Sequence, residues 1–263
     1  MIPKKIHYCW FGGNPLPDIA IKCMESWQKH CPGYEIIRWD ESNCDMAVNQ
    51  FIEQAYEEKK WAFVSDYYRL KVVEEHGGIY LDVDVELLKP LDDLLELDGF
   101  MGFELGTAKL IATGLGFGAV NNHPIITALR ENYENKPFIK QDGQLDMLPC
   151  PQRDTKVLVG YGLIKNNKKQ TIQGITFFPS DYFSPIGFMG EREFSENTYS
   201  IHHFNASWFT DRQRKIVEKN KKINRIFGSF LGSKLILLFL AWDEVRYSGL
   251  KSLINKLLNK EYK

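Results

Sequence analysis

Along the N-terminal third of the chain, apolar residues alternate between the spacing of strands and the spacing of helices. Short apolar runs predict strands at Lys5–Phe11, Tyr34–Trp39 and Ile79–Leu88. Apolar residues three or four positions apart predict helices at Ile19–His30, Cys44–Lys60 and Trp61–His76. Strands that alternate with helices predict a parallel α/β sheet.

The rest of the chain has a less regular pattern. Gly99–Val120 is rich in glycine and in residues that favour strands, and His123–Tyr133 predicts a helix. Residues 140–185 are mixed and contain loop signals, whereas Tyr199–Phe204 predicts a short strand. From Asp211 onward the pattern is helical and rich in lysine and arginine.

Composition adds a charge division that the overall net charge conceals. The chain has 263 residues, 44% of them hydrophobic, and a formal net charge of -1, which excludes a disordered chain and disfavours a nucleic-acid binder. Residues 212–263 hold 13 Lys and Arg against 4 Asp and Glu, a net charge of +9. We therefore expect a catalytic domain at 1–211 and a basic amphipathic helical tail at 212–263.

The cysteines, the N-terminal residues and the lengths of the apolar runs bear on the cellular compartment. The five cysteines are odd in number and form no Cys-x-x-Cys pair, so neither a disulfide framework nor a zinc module is expected, and a reducing cytoplasm fits. The N-terminal residues contain no long apolar core, so they do not indicate a signal peptide. No apolar run is long enough to predict a spanning helix.

Two carboxylates stand two positions apart in the sequence GGIYLDVDVE. On a strand, Asp82 and Asp84 would point to the same face, where their mutual repulsion favours a divalent cation such as Mg²⁺ or Mn²⁺. The end of a buried parallel strand is also where open α/β sheets bind ligands. A solvated edge strand with both charges facing water is the alternative.

An acidic and a basic residue occupy one face of the preceding predicted helix. Asp66 and Arg69 are three positions apart, and their neighbours Phe63, Val64 and Leu70 are apolar. A surface ion pair of little energetic value is one interpretation. A partly buried pair that orients a substrate beside the two carboxylates is the other.

Together these motifs resemble a known family. WAFVSDYYRLKVVEEHGGIYLDVDV (Trp61–Val85) is similar to the Ala/Ser-Asp-x-x-Arg and Gly-Gly-x-Tyr-x-Asp-x-Asp signature of glycosyltransferase family 32. IPKKIHYCWFGG (Ile2–Gly13) and IHHFNASW (Ile201–Trp208) resemble two further blocks of that family. The resemblance, of the bacterial capsular or exopolysaccharide type, implies a GT-A fold, a Rossmann-like mixed sheet with flanking helices. A Thr-Gly-Pro segment common in the family has no Pro in the corresponding stretch, Asp154–Ile164.

Roles for the donor-site residues follow from the resemblance. It implies that Trp10 stacks on the nucleotide base, with Tyr8 also at the cofactor site, although a core position for Trp10 remains an alternative. It further implies that Asp66 and Arg69 hold the hydroxyls of the donor sugar. Tyr80 would line the donor site.

Roles for the metal and diphosphate residues follow in the same way. Asp84 would ligate the metal, and Asp82 would contact the ribose, the sugar or a metal-bound water. His202 or His203 would complete the metal ligands, but adjacent strand residues face opposite ways, so both cannot easily ligate one ion. We favour His202 because it directly follows the apolar Ile201, with His203 as a close alternative. One surface and one packed histidine is the alternative. Ser207 and Trp208 would lie over the diphosphate.

The implied reaction is a metal-dependent transfer that retains anomeric configuration. A hexose, with galactose favoured, would pass from a UDP-sugar to a glycan acceptor in surface polysaccharide synthesis, with Mn²⁺ or Mg²⁺ as cofactor. Because the motifs contain no evident carboxylate nucleophile, we expect front-face displacement. A nucleotide-sugar hydrolase, a non-catalytic nucleotide-sugar-binding protein and a toxin-like protein glucosyltransferase are the alternatives.

The basic tail suggests where the reaction takes place. Apolar stretches flanked by lysine and arginine suit helices that lie on an anionic membrane surface. This predicts a cytoplasmic protein that is peripheral on the inner face of the plasma membrane, with an acceptor carried on a polyprenyl diphosphate and no nucleic-acid partner. A helical cap packed on the catalytic body is the alternative.

Overall fold

The structure is a computed structural model that describes residues 1–134, 136–188, 190–204 and 211–250. The chain forms two compact units: the first comprises Met1–Gly187 and Arg192–Trp208, and the second comprises Phe188–Glu191 and Phe209–Lys263. The predicted division of function after residue 211 stays a prediction.

The first unit contains nine strands and six helices among the residues that the structure describes. The strands are β1 (Lys5–Cys9), β2 (Glu35–Trp39), β3 (Gly78–Tyr80), β4 (Val85–Leu87), β5 (Gly99–Gly102), β6 (Phe117–Ala119), β7 (Gln170–Ile172), β8 (Ile175–Phe178) and β9 (Ser200–His202). The helices are α1 (Asp18–His30), α2 (Gln50–Glu57), α3 (Trp61–His76), α4 (Pro124–Glu134), α5 (Cys150–Gly160) and α6 (Ser180–Phe183).

Seven strands form one mixed sheet, in the order β2-β1-β3-β6-β5-β8-β7. β1 runs parallel to β2 and β3, but β6 is antiparallel to both β3 and β5. The parallel arrangement predicted from the N-terminal third is confirmed for β1, β2 and β3. The sheet becomes mixed beyond β3, because the glycine-rich middle of the chain returns antiparallel to it. The mixed sheet with flanking helices, expected from the resemblance, is confirmed.

Helices cover both faces of this sheet. Consecutive strand residues point to opposite faces, so Tyr80 and Met101 join one apolar cluster while Ile79 and Phe100 join the other. The first cluster includes residues of α2, α3, α4 and α5, and the second includes Trp27 of α1. All five cysteines are free thiols, as expected.

Two glycines end α3 and start β3. Gly77 has φ 61° and Gly78 has φ 107°, conformations that side-chain-bearing residues rarely adopt. A Cβ at Gly77 would overlap Pro3, and one at Gly78 would overlap His7. The turn therefore needs glycine at both positions, and it brings the chain from the end of α3 directly into β3.

The third predicted strand, Ile79–Leu88, is divided in the structure. β3 ends at Tyr80, Asp82–Asp84 form a turn closed by the Val85 N–H donating to Asp82 O at 3.0 Å, and β4 pairs with β9 in a separate two-stranded sheet. Asp82 and Asp84 thus do not share a strand face, and that expectation is wrong. The alternation misleads because the chain changes sheets at the two carboxylates.

Two other segments also depart from their predictions. Only Gln50–Glu57 is helical within Cys44–Lys60, because Asn49 caps α2 by accepting the Ile52 N–H at 3.0 Å. The mixed segment 140–185 contains α5, β7 and β8.

The second unit consists mainly of one helical segment, α7 (Asp211–Ser248), which Gly228 interrupts with φ 70° and ψ 168°. Large apolar side chains along it are exposed, among them Leu231 at 56%, Leu238 at 69% and Trp242 at 53%. Within the part of the chain that the structure describes, no helix has the length and apolar character needed to cross a bilayer.

Candidate active site

A buried ion-paired arginine lies at the centre of the site. Arg69 and Asp66 share one face of α3 and are only 4% and 6% exposed. One guanidinium nitrogen, Arg69 Nη2, lies 3.1 Å from Asp66 Oδ1 and 3.1 Å from Asp82 Oδ1. The turn at the end of α3 is what returns Asp82 to this helix.

Asp82 is partly exposed and has two partners, a tyrosine hydroxyl and the Arg69 guanidinium. The Tyr80 hydroxyl donates to Asp82 Oδ1 at 2.9 Å, and the Arg69 guanidinium lies 5.1 Å from the centre of the Tyr80 ring. Burial raises the pKa of Asp82, although Arg69 opposes that shift. Burial disfavours the charge of Arg69, but Asp82, Tyr80 and Asp66 together raise its pKa well above its usual value. Arg69 therefore stays charged.

Three residues form a group that could hold a metal ion. Asp82, Asp84 and His202 offer ligand atoms that all lie within 4.8 Å of one another. The β4–β9 pairing produces this group, because His202 stands opposite Val85 and so next to Asp84. His202 Nε2 lies 3.1 Å from Asp84 Oδ1, and the buried His202 Nδ1 has no hydrogen-bond partner among the described residues.

The neighbouring histidine takes a different position. His203 Nε2 lies 2.8 Å from Glu86 Oε2, and the His203 backbone N–H donates to Asp84 O at 3.0 Å. Its side chain is 30% exposed, whereas that of His202 is 8% exposed. Of the two histidines, the structure brings His202 to the carboxylates and directs His203 toward Glu86.

The two acidic neighbours also determine the charge of His202. Burial by itself would lower its pKa, but Asp84 and then Asp82 outweigh burial, and the pKa of His202 is raised. A cation bound between the carboxylates would replace the proton that this imidazole takes up. Two carboxylates and one imidazole are a donor set that suits Mn²⁺ or Mg²⁺.

The aromatic residues predicted at the nucleotide lie near β1. Trp10 follows β1 and its Nε1–H donates to Asn14 O at 2.6 Å. Tyr8 is buried, with its ring centre 5.9 Å from that of Trp27. Hydrogen bonds and ring contacts join neither side chain to the acidic cluster in the described part of the chain. Ser207 and Trp208 lie outside the described residues.

Comparison with known proteins gives this cluster a chemical context. Residues 17–100 match the family described as "Glycosyltransferase sugar-binding region containing DXD motif". The chain is 26% identical over 220 residues to the uncharacterized glycosyltransferase L373 of Acanthamoeba polyphaga mimivirus, a match that covers 79% of this chain and 84% of that protein. The chain is a glycosyltransferase.

Two other similarities cover a smaller share of this glycosyltransferase. It is 26% identical over 101 residues to the initiation-specific alpha-1,6-mannosyltransferase of Candida albicans, covering 35% of this chain and only 26% of that enzyme. The solved PaToxG glycosyltransferase is similar with a TM-score of 0.46 and 20% identity, over 60% of this chain and 69% of the other. The DXD family match includes Asp66, Arg69, Asp82 and Asp84, whereas His202 lies beyond it.

Sequence analysis missed three residues of the glycosyltransferase near this cluster: Thr113, Cys150 and Asp154. It pointed to Gly114–Val120 as an edge of the donor-sugar and acceptor site but assigned no role to Gly114. Arg69 Nη1 donates to Cys150 Sγ at 3.5 Å, and the Thr113 hydroxyl donates to Asp154 Oδ2 at 2.9 Å. Asp154 is fully buried. Burial is the largest cause, and the charge of Asp66 the next, of a rise in its pKa to about 7.

A sequence signal for α5 was present. Pro149 and Pro151 resemble loop residues, but a proline in the first turn is also a helix-start signal that could have revealed this helix.

The raised pKa of Asp154 predicts a pH-dependent stability difference. Between the ordinary aspartate value of 3.8 and about 7, the folded glycosyltransferase binds more protons at Asp154 than the unfolded chain, so stability falls as pH rises. Asp154→Asn removes this fall. The free energy of unfolding of the variant minus that of the wild type should rise by about 2 to 3 kcal/mol between about pH 5 and pH 8. Urea unfolding of both proteins at the two pH values measures it, and a pH-independent difference would contradict the assignment.

Proposed function

We propose that the chain is a metal-dependent, retaining glycosyltransferase that moves a hexose from a nucleotide-sugar donor to a glycan acceptor. One observation carries the proposal: the possible metal group of Asp82, Asp84 and His202 adjoins the buried Arg69–Asp66 pair through a shared residue, Asp82. A cation site and a site for sugar hydroxyls therefore meet at one carboxylate. That is the arrangement needed to hold a diphosphate beside the sugar attached to it.

Asp84 and His202 would be the main metal ligands. Asp84 is 8% exposed and lies against the imidazole, whereas Asp82 Oδ1 already accepts a hydrogen bond from Tyr80 and is ion-paired with Arg69. A bound Mn²⁺ or Mg²⁺ would supply positive charge to the departing diphosphate. Asp82 would keep its second oxygen for that cation or for a donor hydroxyl.

The arginine and its carboxylates would position the donor sugar. A carboxylate accepts hydrogen bonds from hydroxyls, and a buried guanidinium donates them in a fixed plane. Because Asp66 and Asp82 hold the same nitrogen of Arg69 from two sides, none of the three side chains can turn freely. This rigidity would fix the sugar before the anomeric bond breaks.

We assign retention to front-face displacement. Asp66 and Asp82 are each paired with Arg69, and Asp84 lies against His202, so each carboxylate of the cluster already has a positioning partner. The acceptor hydroxyl would then approach from the face that the diphosphate leaves. Trapping of a covalent glycosyl-enzyme adduct by mass spectrometry would contradict this mechanism.

The donor is the least constrained part of the proposal, and a panel of donors tests it. UDP-galactose is the donor we propose, and GDP-mannose is the second candidate because the Candida relative is named a mannosyltransferase. The panel contains UDP-galactose, UDP-glucose, UDP-N-acetylhexosamines and GDP-mannose, each with Mn²⁺ and with chelator. We expect consumption of one donor with Mn²⁺ only, accelerated by a glycan acceptor. Donor consumption that no acceptor accelerates would instead indicate a hydrolase, and consumption unaffected by chelator would contradict metal dependence.

We propose that α7 holds the enzyme on an anionic membrane, where a polyprenyl-diphosphate-linked acceptor of a surface polysaccharide, capsular or exopolysaccharide, would lie. Residues 212–263 carry a net charge of +9, and exposed apolar side chains such as Leu231, Leu238 and Trp242 accompany that charge. The site of action would be the inner face of the plasma membrane.

Vesicle binding tests the membrane proposal. The full chain should sediment with vesicles that contain phosphatidylglycerol at low salt, and less with pure phosphatidylcholine or at high salt. The double variant Leu231→Glu/Leu238→Glu should lose sedimentation while donor turnover in solution is unchanged. Equal sedimentation of variant and wild type would contradict the role of these side chains.

A further inference from the structure

Two consecutive residues of α5 bind a short segment of chain at two points. The Thr155 hydroxyl accepts the Ile111 backbone N–H at 2.8 Å, and Asp154 Oδ2 accepts the Thr113 hydroxyl at 2.9 Å. Asp154 and Thr113 are 0% exposed and Thr155 is 3% exposed, so water does not compete for these bonds. Residues 111–114, called here the 111–114 segment, are therefore fixed to α5.

The fixed segment ends against the sugar-binding side chains. A Cβ at Gly114 would overlap Asp82 Oδ2 and would lie 3.1 Å from Arg69 Nη1. The backbone of Gly114 thus lies directly against the two groups that the proposed function assigns to the donor sugar. Any movement of the segment would change the space beside both.

We propose that Asp154 and Thr113 are positioning residues for the donor sugar, acting through Gly114 on Asp82 and Arg69. This inference rests on the proposed function, because it assigns the Asp82–Arg69 pair to the sugar. Asp154 does not itself contact that pair among the described hydrogen bonds and ion pairs; the Tyr133 hydroxyl, 3.4 Å from its Oδ1, is its other hydrogen-bond partner. Binding of the hexose portion of the donor should therefore depend on α5 more strongly than binding of its nucleotide.

The inference is tested by comparing two ligands that differ only in the hexose. Thr113→Val keeps the side-chain volume but removes the hydroxyl that Asp154 accepts. We expect the dissociation constant of the nucleotide sugar to rise about 10- to 100-fold, measured by calorimetry with Mn²⁺ on the full chain. The dissociation constant of the nucleoside diphosphate alone should rise by a much smaller factor, because Asp84 and His202 would be the main metal ligands. Thr113→Ser, which keeps the hydroxyl, should restore the wild-type difference between the two ligands.

Thr176→Val is the matched control. Thr176 is a buried threonine of β8 whose hydroxyl lies 3.2 Å from that of Thr171, so the same substitution removes a comparable bond away from the 111–114 segment. It should leave the binding of both ligands unchanged. A general loss of packing would instead weaken both ligands in either variant and would overturn the inference.

The remaining outcomes separate the inference from the function on which it rests. If Thr113→Val leaves nucleotide-sugar binding unchanged while the wild type turns the donor over, the inference is wrong and the proposed function stands. If the wild type neither binds nor turns over any nucleotide sugar of the donor panel, the proposed function is wrong, and so is the inference that rests on it. Gly114→Ala gives an independent check: it should raise the dissociation constant of the nucleotide sugar by a larger factor than that of the nucleoside diphosphate.

Discussion

Asp84→Asn should lower donor turnover by about 10³-fold at saturating Mn²⁺, with little change in the free energy of unfolding. The substitution keeps the shape of the side chain but removes the negative charge that lies 3.1 Å from His202 Nε2. Without that charge the cluster holds a cation weakly, and the departing diphosphate loses its positive partner. Removing one of two neighbouring carboxylates also relieves repulsion, so the fold should tolerate the change.

Glu86→Gln is the matched control for Asp84→Asn. It makes the same chemical change two positions later in the same segment, but Glu86 pairs with His203, and its side chain is 41% exposed. Its turnover should equal that of the wild type across the Mn²⁺ titration. If both variants lose activity to the same extent, general electrostatics and not a metal ligand would explain the loss.

Arg69→Met should abolish most activity and also destabilise the fold. The substitution leaves Asp66 and Asp82 buried without their shared cation, which should cost about 3 to 5 kcal/mol in the free energy of unfolding. Burial already raises the pKa of Asp66 to about 6 in spite of Arg69. Without the arginine both carboxylates should take up protons more readily, so the stability loss should be larger at pH 8 than at pH 5. Donor turnover per folded molecule should fall by about 10³-fold or more.

Arg130→Met separates the catalytic effect from the structural one. Arg130 of α4 is also largely buried and pairs with Glu74 and Glu134, so its loss should destabilise the fold in a similar way. It does not contact the acidic cluster through any described ion pair. We expect the folded fraction of this variant to turn the donor over at the wild-type rate. A comparable loss of turnover per folded molecule would show that destabilisation alone explains the result for Arg69→Met.

Local signals predicted α3 and its turn with the correct limits. The apolar spacing from Trp61 to His76 gave the helix, and Gly77-Gly78 marked a change of direction that needs positive φ at both residues. Because Asp66 and Arg69 are three apart on one helix, their pairing could also be inferred from sequence. Their burial depended on tertiary packing, and sequence left it undecided.

The relation between Asp82 and Asp84 could not be predicted from alternation. A period of two looks the same whether the chain continues in one strand or crosses to a second sheet, and here it crosses at these residues. The crossing places His202 beside Asp84, since β9 pairs only with β4 among the described strands. The preference for His202 over His203 came from its position directly after the apolar Ile201, and the structure places His202 beside the two carboxylates.

The contribution of α5 was missed because its effects are non-local. Thr113 and Asp154 are separated by 41 positions, and no short motif connects them. The sequence also lacks the proline that the family resemblance led us to expect in Asp154–Ile164. Only the packing of α5 against the 111–114 segment shows that a fully buried aspartate supports the site.

Direct measurement of Mn²⁺ binding tests the central claim most closely. With UDP present, the wild-type chain should bind one Mn²⁺, detected by calorimetry or by the loss of the free-ion electron paramagnetic resonance signal. His202→Ala should weaken that binding by at least about 10-fold, while His203→Ala, a change at the next residue, should leave it as in the wild type. Equal Mn²⁺ affinity in the His202→Ala and wild-type chains would contradict the claim that Asp82, Asp84 and His202 form the metal site of this glycosyltransferase.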